Sequence, residues 1–130
     1  MIRAAALLLA ATLAGCGHVP FSSCPAGLHK APVVELFFGR NIGASEGVSD
    51  ADWKDFVDSE IASRLPKGFT VAAAEGGWRG PDGAIVRERA FRLTVVDPDE
   101  AVIAAIRAAY KVRFRQDSVL EVEEQACVGF

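Results

Sequence analysis

The sequence predicts an α+β domain whose elements alternate as β-α-β-β-α-β. Three observations carry this reading. Residues 53–65 and 102–114 repeat apolar side chains at helical spacing. Four other stretches are β-branched, aromatic or alternating runs of strand length. Glycine, proline and Asp-Gly signals punctuate the chain between them.

Residues 33–39 (VVELFFG) form the first strand, stopped by its glycine. Residues 40–48 make a glycine-bearing loop. Ser49 then serves as an N-cap, with Asp52 three residues on completing a capping box. Trp53, Phe56, Val57, Ile61 and Leu65 make one apolar stripe, and Pro66 and Gly68 end the helix. Residues 69–75 are the second strand. The run 76–83 (GGWRGPDG) reads as turn chemistry, and 84–96 as a long third strand. There Phe91, Leu93 and Val95 alternate with Arg92 and Thr94, so one face is buried and one polar.

Asp97-Pro98-Asp99-Glu100 is a second helix start, with cap, proline at the first helical position and closing glutamate. The stripe Val102, Ile103, Ile106, Tyr110 and Phe114 follows. Residues 118–130 supply the last strand, with Leu120, Val122, Ala126 and Val128 on one side. This element order is the split unit of ferredoxin-like folds. It implies a four-stranded antiparallel sheet in spatial order 4-1-3-2, with both helices on one face.

The amino terminus has a separate character. Arg3 precedes an apolar stretch over residues 4–14, then Gly15-Cys16. That is the layout of a secretory signal peptide. The stretch is too short to span a bilayer, which takes roughly 20 apolar residues. Leu13-Ala14-Gly15-Cys16 resembles a lipobox, the processing motif of bacterial lipoproteins. The resemblance implies a signal peptide over 1–15, lipid on the Cys16 thiol and a tether over 16–32 before the domain at 33–130. The expected location is the cell envelope, held to a membrane by that lipid. Gly17, where inner-membrane lipoproteins usually carry aspartate, favours the outer membrane facing the periplasm in a Gram-negative cell. Cleavage removes Arg3 and moves the formal charge from −3 to −4. An acidic domain has no electrostatic footprint for nucleic acid.

Cys24 and Cys127 remain once Cys16 carries lipid. In an oxidising compartment such a pair suggests a disulfide. The expected topology lays the last strand beside the first, which brings the two cysteines together. His18 and His29 flank Cys24, but four ligands with zinc spacing are missing, so no metal is expected. No glycine motif leads from a strand into a helix to cradle phosphate, and no cofactor is expected either.

Several segments together carry a family resemblance: Glu35-Leu36-Phe37-Phe38-Gly39, Trp53, Gly77-Trp78-Arg79, Pro81-Asp82-Gly83, Arg87-Glu88, Tyr110-Lys111 with Phe114, Ser118-Val119-Leu120 and Cys127-Val128. In these the chain resembles the bacterial family DUF3574, small secreted or lipid-anchored proteins, over roughly residues 30–130. The resemblance brings no reaction and no functional residues with it.

The domain holds no histidine after His29, which removes the commonest general base and the usual Ser-His and Cys-His systems. What remains is a polar group on the sheet. Alternation sets Glu35, Glu88, Arg92 and Thr94 opposite the helices, joined by Glu121 and Glu123, with Trp78, Arg79 and Arg87 near the turn. Trp78, Arg79, Arg87 and Arg92 are candidate ligand contacts, because guanidinium forks clamp carboxylates bidentately. The plainer alternative is a solvated face with cross-strand ion pairs. Glu35 and Glu88 are the candidate proton carriers if something covers that face. Two functional expectations follow. The first is an envelope module that binds a ligand or protein, including a second copy, through the open sheet face. The second is a small dimeric enzyme, an isomerase or cofactor-independent oxygenase, using a sheet-face glutamate.

Overall fold

The computed structural model describes residues 23–43 and 45–130. Cys16, His18 and the expected signal peptide lie outside them. Four long strands, β1 (His29–Gly39), β4 (Thr70–Arg79), β5 (Ile85–Val96) and β6 (Leu120–Val128), form one sheet ordered β4-β5-β1-β6. All three pairings are antiparallel. A short ribbon, β2 (Asn41–Ile42) with β3 (Ser45–Glu46), follows β1. The helices are α1 (Asp50–Phe56) and α2 (Glu100–Phe114). The domain is therefore α+β, with a four-stranded antiparallel sheet and two helices.

The core lies between the helices and one face of the sheet. Leu36, Phe38, Leu93 and Val95 meet Phe56, Ile61, Ile103, Ile106 and Tyr110, all buried. Its centre is aromatic. The Trp53 indole stacks on Phe91 with centroids 4.4 Å apart, and Tyr110 meets Phe38 edge-on at 4.7 Å. Such pairs add about 0.5–1.5 kcal/mol each beyond area burial. Burial pushes the Tyr110 hydroxyl well above its ordinary value, so it stays protonated and donates to the Gly39 carbonyl at 2.9 Å.

The Ser49 cap holds as expected. Its hydroxyl accepts from the Asp52 N–H at 3.1 Å, while the Asp52 carboxylate accepts from the Ser49 N–H at 3.0 Å. The Ser49 hydroxyl, then its backbone N–H, hold that carboxyl below the usual carboxylate range. After Phe56 the helix widens into a π-helical turn, Val57–Ile61. That turn keeps Ile61 and Leu65 in the buried set.

Four sequence expectations need correction. β1 begins at His29, so residues 29–32, read as the end of the tether, pair with residues 125–128 of β6. β4 runs through Gly76-Gly77-Trp78-Arg79, read as turn, because glycine accepts extended backbone as readily as positive φ. The reversal is confined to residues 80–84, where the Gly80 N–H donates to the Ala84 carbonyl and Gly83 takes φ +82°. The cap of α2 is Asp99 rather than Asp97: its carboxylate accepts from the Ala101 N–H at 2.8 Å. Asp97 instead adopts φ +50° and donates its N–H to the Pro32 carbonyl.

The fourth concerns β6. Glu121 and Glu123 pair with Leu36 and Val34, which puts them on the helix side rather than the open face. The Arg107 guanidinium of α2 reaches across to bind the Glu121 carboxylate. Leu120 and Val122 consequently face outward. Along a strand that alternates acidic and apolar residues, a one-residue choice exchanges the two faces entirely.

Candidate functional site

With Leu36 and Leu93 turned toward the helices, alternation fixes what the other face presents. It carries Val33, Glu35 and Phe37 from β1, Glu88, Ala90, Arg92 and Thr94 from β5, Leu120 and Val122 from β6, and Ala72, Ala74 and Trp78 from β4. Glu35 sits between Thr94 and Val122 in register. One oxygen of its carboxylate accepts from the Thr94 hydroxyl at 3.2 Å and lies 3.5 Å from the Arg92 guanidinium. The Glu35 side chain is 29% exposed and that of Arg92 44%. A pair this open to solvent contributes at most about 1 kcal/mol. Exposed apolar side chains flank it, Leu120 at 60% and Val122 at 44%, with Glu124 on the same face opposite Val33.

Glu88 stands apart from this group. It lies six residues along β5 from Thr94, a distance of about 20 Å along an extended strand. The two candidate carboxylates therefore cannot share one substrate atom as acid and base. Glu88 instead folds under the end of β1, where its carboxylate accepts from the Asn41 N–H at 2.8 Å. Gly39 makes room for it, since a Cβ there would fall 2.6 Å from the Glu88 carboxylate oxygen. Gly39→Ala should swing Glu88 out and leave the Asn41 N–H without its partner. We expect a loss of about 1–3 kcal/mol in a urea melt. The double variant Gly39→Ala, Glu88→Ala should lose less than the sum of the singles, because the clash and the hydrogen bond disappear together.

The hairpin residues divide between the faces. Trp78 projects from the open face opposite Val86 and is 52% exposed. Arg79 lies on the other side and donates to the Gly83 carbonyl at 2.6 Å, clamping its own turn. Arg87 is also on the helix side of the sheet, beyond the helices, 3.9 Å from Glu75. Trp78 and the Glu35–Arg92 pair thus occupy different ends of the open face, and Arg79 and Arg87 do not join either.

Sequence reasoning missed Arg40. Its side chain is 4% exposed, donates to the Val48 carbonyl at 2.8 Å, and pairs with Glu46 at 2.8 Å and Asp50 at 2.9 Å. It also lies over the Phe91 ring at 4.7 Å. The loop after β1 is pinned to the core through this side chain, with Glu88 and Gln116 holding Asn41 beside it. The sequence signal was only an arginine after an apolar strand with acids six and ten residues later.

Two clefts, of about 190 and 220 Å³, lie elsewhere. The first is lined by Leu65, Lys67, Val95, Asp97 and Val102 among others, the second by Val34, Ile103, Glu121 and Glu123 among others. Neither is lined by Glu35, Glu88, Arg92 or Trp78. Cys24 and Cys127 form a disulfide, with Cα atoms 5.5 Å apart. It closes the start of the described chain onto β6, at the end of the sheet opposite the Trp78 hairpin.

Residues 33–130 match the model of DUF3574, described as a protein of unknown function. No curated protein matches the chain. Among solved structures, the chain is similar to a phage SAM lyase in complex with S-methyl-5'-thioadenosine. The TM-score is 0.57 at 17% identity, covering 77% of this chain and 90% of that one. The apo state of a phage SAM lyase gives a TM-score of 0.52 at 17% identity, covering 78% and 90%. A nitrogen regulatory PII-like protein from Thiomonas intermedia K12 gives 0.43 at 18% identity, covering 78% and 98%. At these identities the likeness concerns the fold.

Proposed function

Since the chain belongs to the DUF3574 family, whose activity is open, we propose that it is a lipid-anchored envelope module that binds a protein partner through its helix-free sheet face. Its order and pairings support reading the domain as ferredoxin-like. The observation that carries the function is the chemistry of that face. Leu120, Val122 and Phe37 surround a half-exposed Glu35–Arg92 pair, and the two clefts described lie away from it. Small ligands favour concave apolar pockets, whereas protein partners take broad surfaces with apolar centres and a few oriented polar groups. The lipobox at residues 13–16 supports the anchor.

The test is site-specific photocrosslinking in intact envelopes. A benzophenone side chain at Leu120 should give a discrete adduct, and Leu120→Arg should weaken capture of that partner roughly 30-fold, the scale of a 2 kcal/mol hot spot. The same probe at Val112, exposed on α2, should give none. An adduct of twice the chain's mass identifies a second copy as the partner. Equal adducts at both positions would remove the reading.

A second reading is favoured by one observation, the fold likeness to a phage SAM lyase in complex with S-methyl-5'-thioadenosine. It makes the protein an enzyme on a small molecule, with Glu35 or Glu88 carrying the proton. Both carboxylates are already engaged, Glu35 by Thr94 and Arg92 and Glu88 by Asn41, which weighs against it. Calorimetric titration with S-methyl-5'-thioadenosine separates the readings. Saturable heat that Glu88→Gln or Glu35→Gln abolishes favours the enzyme.

A further inference from the structure

The disulfide fixes more than stability. Cys24 lies eight residues after Cys16. Joined to Cys127, it ties the start of the described chain to β6. An extended chain of that length reaches about 29 Å at most. Without the bridge, the first fixed point is His29, at the start of β1, and the reach grows to about 47 Å.

That point lies at one end of the sheet. His29 pairs with Val128 and Lys30 with Cys127 there, while Val33 pairs with Val96. β5 then runs the other way, past Gly39, to Ile85 and the 80–84 turn. At the rise of an extended strand, the turn stands about 50 Å from the His29 end. The end near the bridge also exposes Leu28 and Phe130, at 41% and 106%, with Leu28 against Gly129. Apolar side chains exposed at the point of attachment fit the headgroup–acyl boundary of a bilayer.

We propose that the Cys24–Cys127 bridge orients the domain on the membrane. The Leu28–Phe130 end faces the lipid, and the Trp78 hairpin is presented on the distal side. The partner at the near end is the lipid surface itself. This rests on Cys16 acylation from the proposed function, and it adds which end of the sheet each neighbour sees. The open face then stands edge-on to the membrane, with β4 and the hairpin reaching furthest out.

The experiment uses the full chain processed by an exporting bacterium and reconstituted in phosphatidylcholine vesicles containing nitroxide-headgroup lipid. With Cys16 acylated and the other two cysteines bonded, Phe130→Cys or Pro81→Cys supplies a single thiol for a fluorophore. We expect at least fivefold stronger quenching at position 130 than at 81. Replacing both bridge cysteines, Cys24→Ser and Cys127→Ser, should narrow that ratio by at least half as the leash lengthens. Equal quenching, the reverse order, or a ratio untouched by removing the bridge overturns the orientation while leaving the anchor intact. Mass spectrometry of the same sample reads the anchor separately. An unacylated Cys16 overturns the anchoring reading, and the orientation falls with it.

Discussion

Cys127→Ser is expected to lower folding stability by about 4–5 kcal/mol, the loss for opening a loop of about 100 residues in the chain-entropy account. The bridge spans a sequence separation of 103, nearly the whole folded domain, so it restricts the unfolded chain strongly. With a urea slope of roughly 1–3 kcal/mol per molar, the midpoint should fall by about 1.3–5 M. Cys24→Ser should match it, and the double variant should lose no more than either single, because all three remove the same link. Adding a reductant to the native chain should reproduce the shift. A midpoint that moves by less than 0.5 M (about 1 kcal/mol at such slopes) would mean that the ladder between β1 and β6 already confines the ends without the sulfur link.

Arg40→Ala carries the second large effect, about 2–4 kcal/mol. Its carboxylate partners are open enough to return to water: Glu46 is 39% exposed and Asp50 80%. The loss comes instead from the fully buried neighbourhood of Val48, whose carbonyl would go unpaired at about 1–3 kcal/mol. The lost cation–π contact with Phe91 adds about 1 kcal/mol. Arg40→Lys should recover less than half, because one ammonium cannot serve the carbonyl and two carboxylates as a planar fork does. Denaturation of both variants checks the magnitude. Faster amide exchange at Gly47 and Val48, whose N–H groups donate to the Arg40 carbonyl, would show that the loop itself has loosened.

Much of the candidate site was legible because strand alternation is local. Phe91, Leu93 and Val95 set the parity of β5, and with it the outward placement of Glu88, Arg92 and Thr94. Glu35 followed from Leu36 and Phe38 in the same way. What Glu88 does was not legible, whereas the ion pair of Glu35 is the plainer, cross-strand alternative already read from the sequence. Glu88 serves a backbone N–H at residue 41 and Glu35 an arginine on the neighbouring strand, and both depend on register between distant segments. The separation of Trp78 from the Glu35–Arg92 pair is likewise a matter of length along β5.

By itself the sequence determined the α+β class, both helical stripes, the Ser49 capping box and the partnership of Cys24 with Cys127, because each is written in short-range spacing or in the count of one reactive residue type. Tertiary structure alone decided which way β6 turns. Its acidic and apolar residues alternate so evenly that either face could have been buried, and Arg107 on α2 and Cys24 just before β1 hold the one that carries Glu121 and Cys127. It decided the Arg40 pin as well, since a buried cation is acceptable only where separate segments bring a carbonyl, two carboxylates and an aromatic ring to the same point.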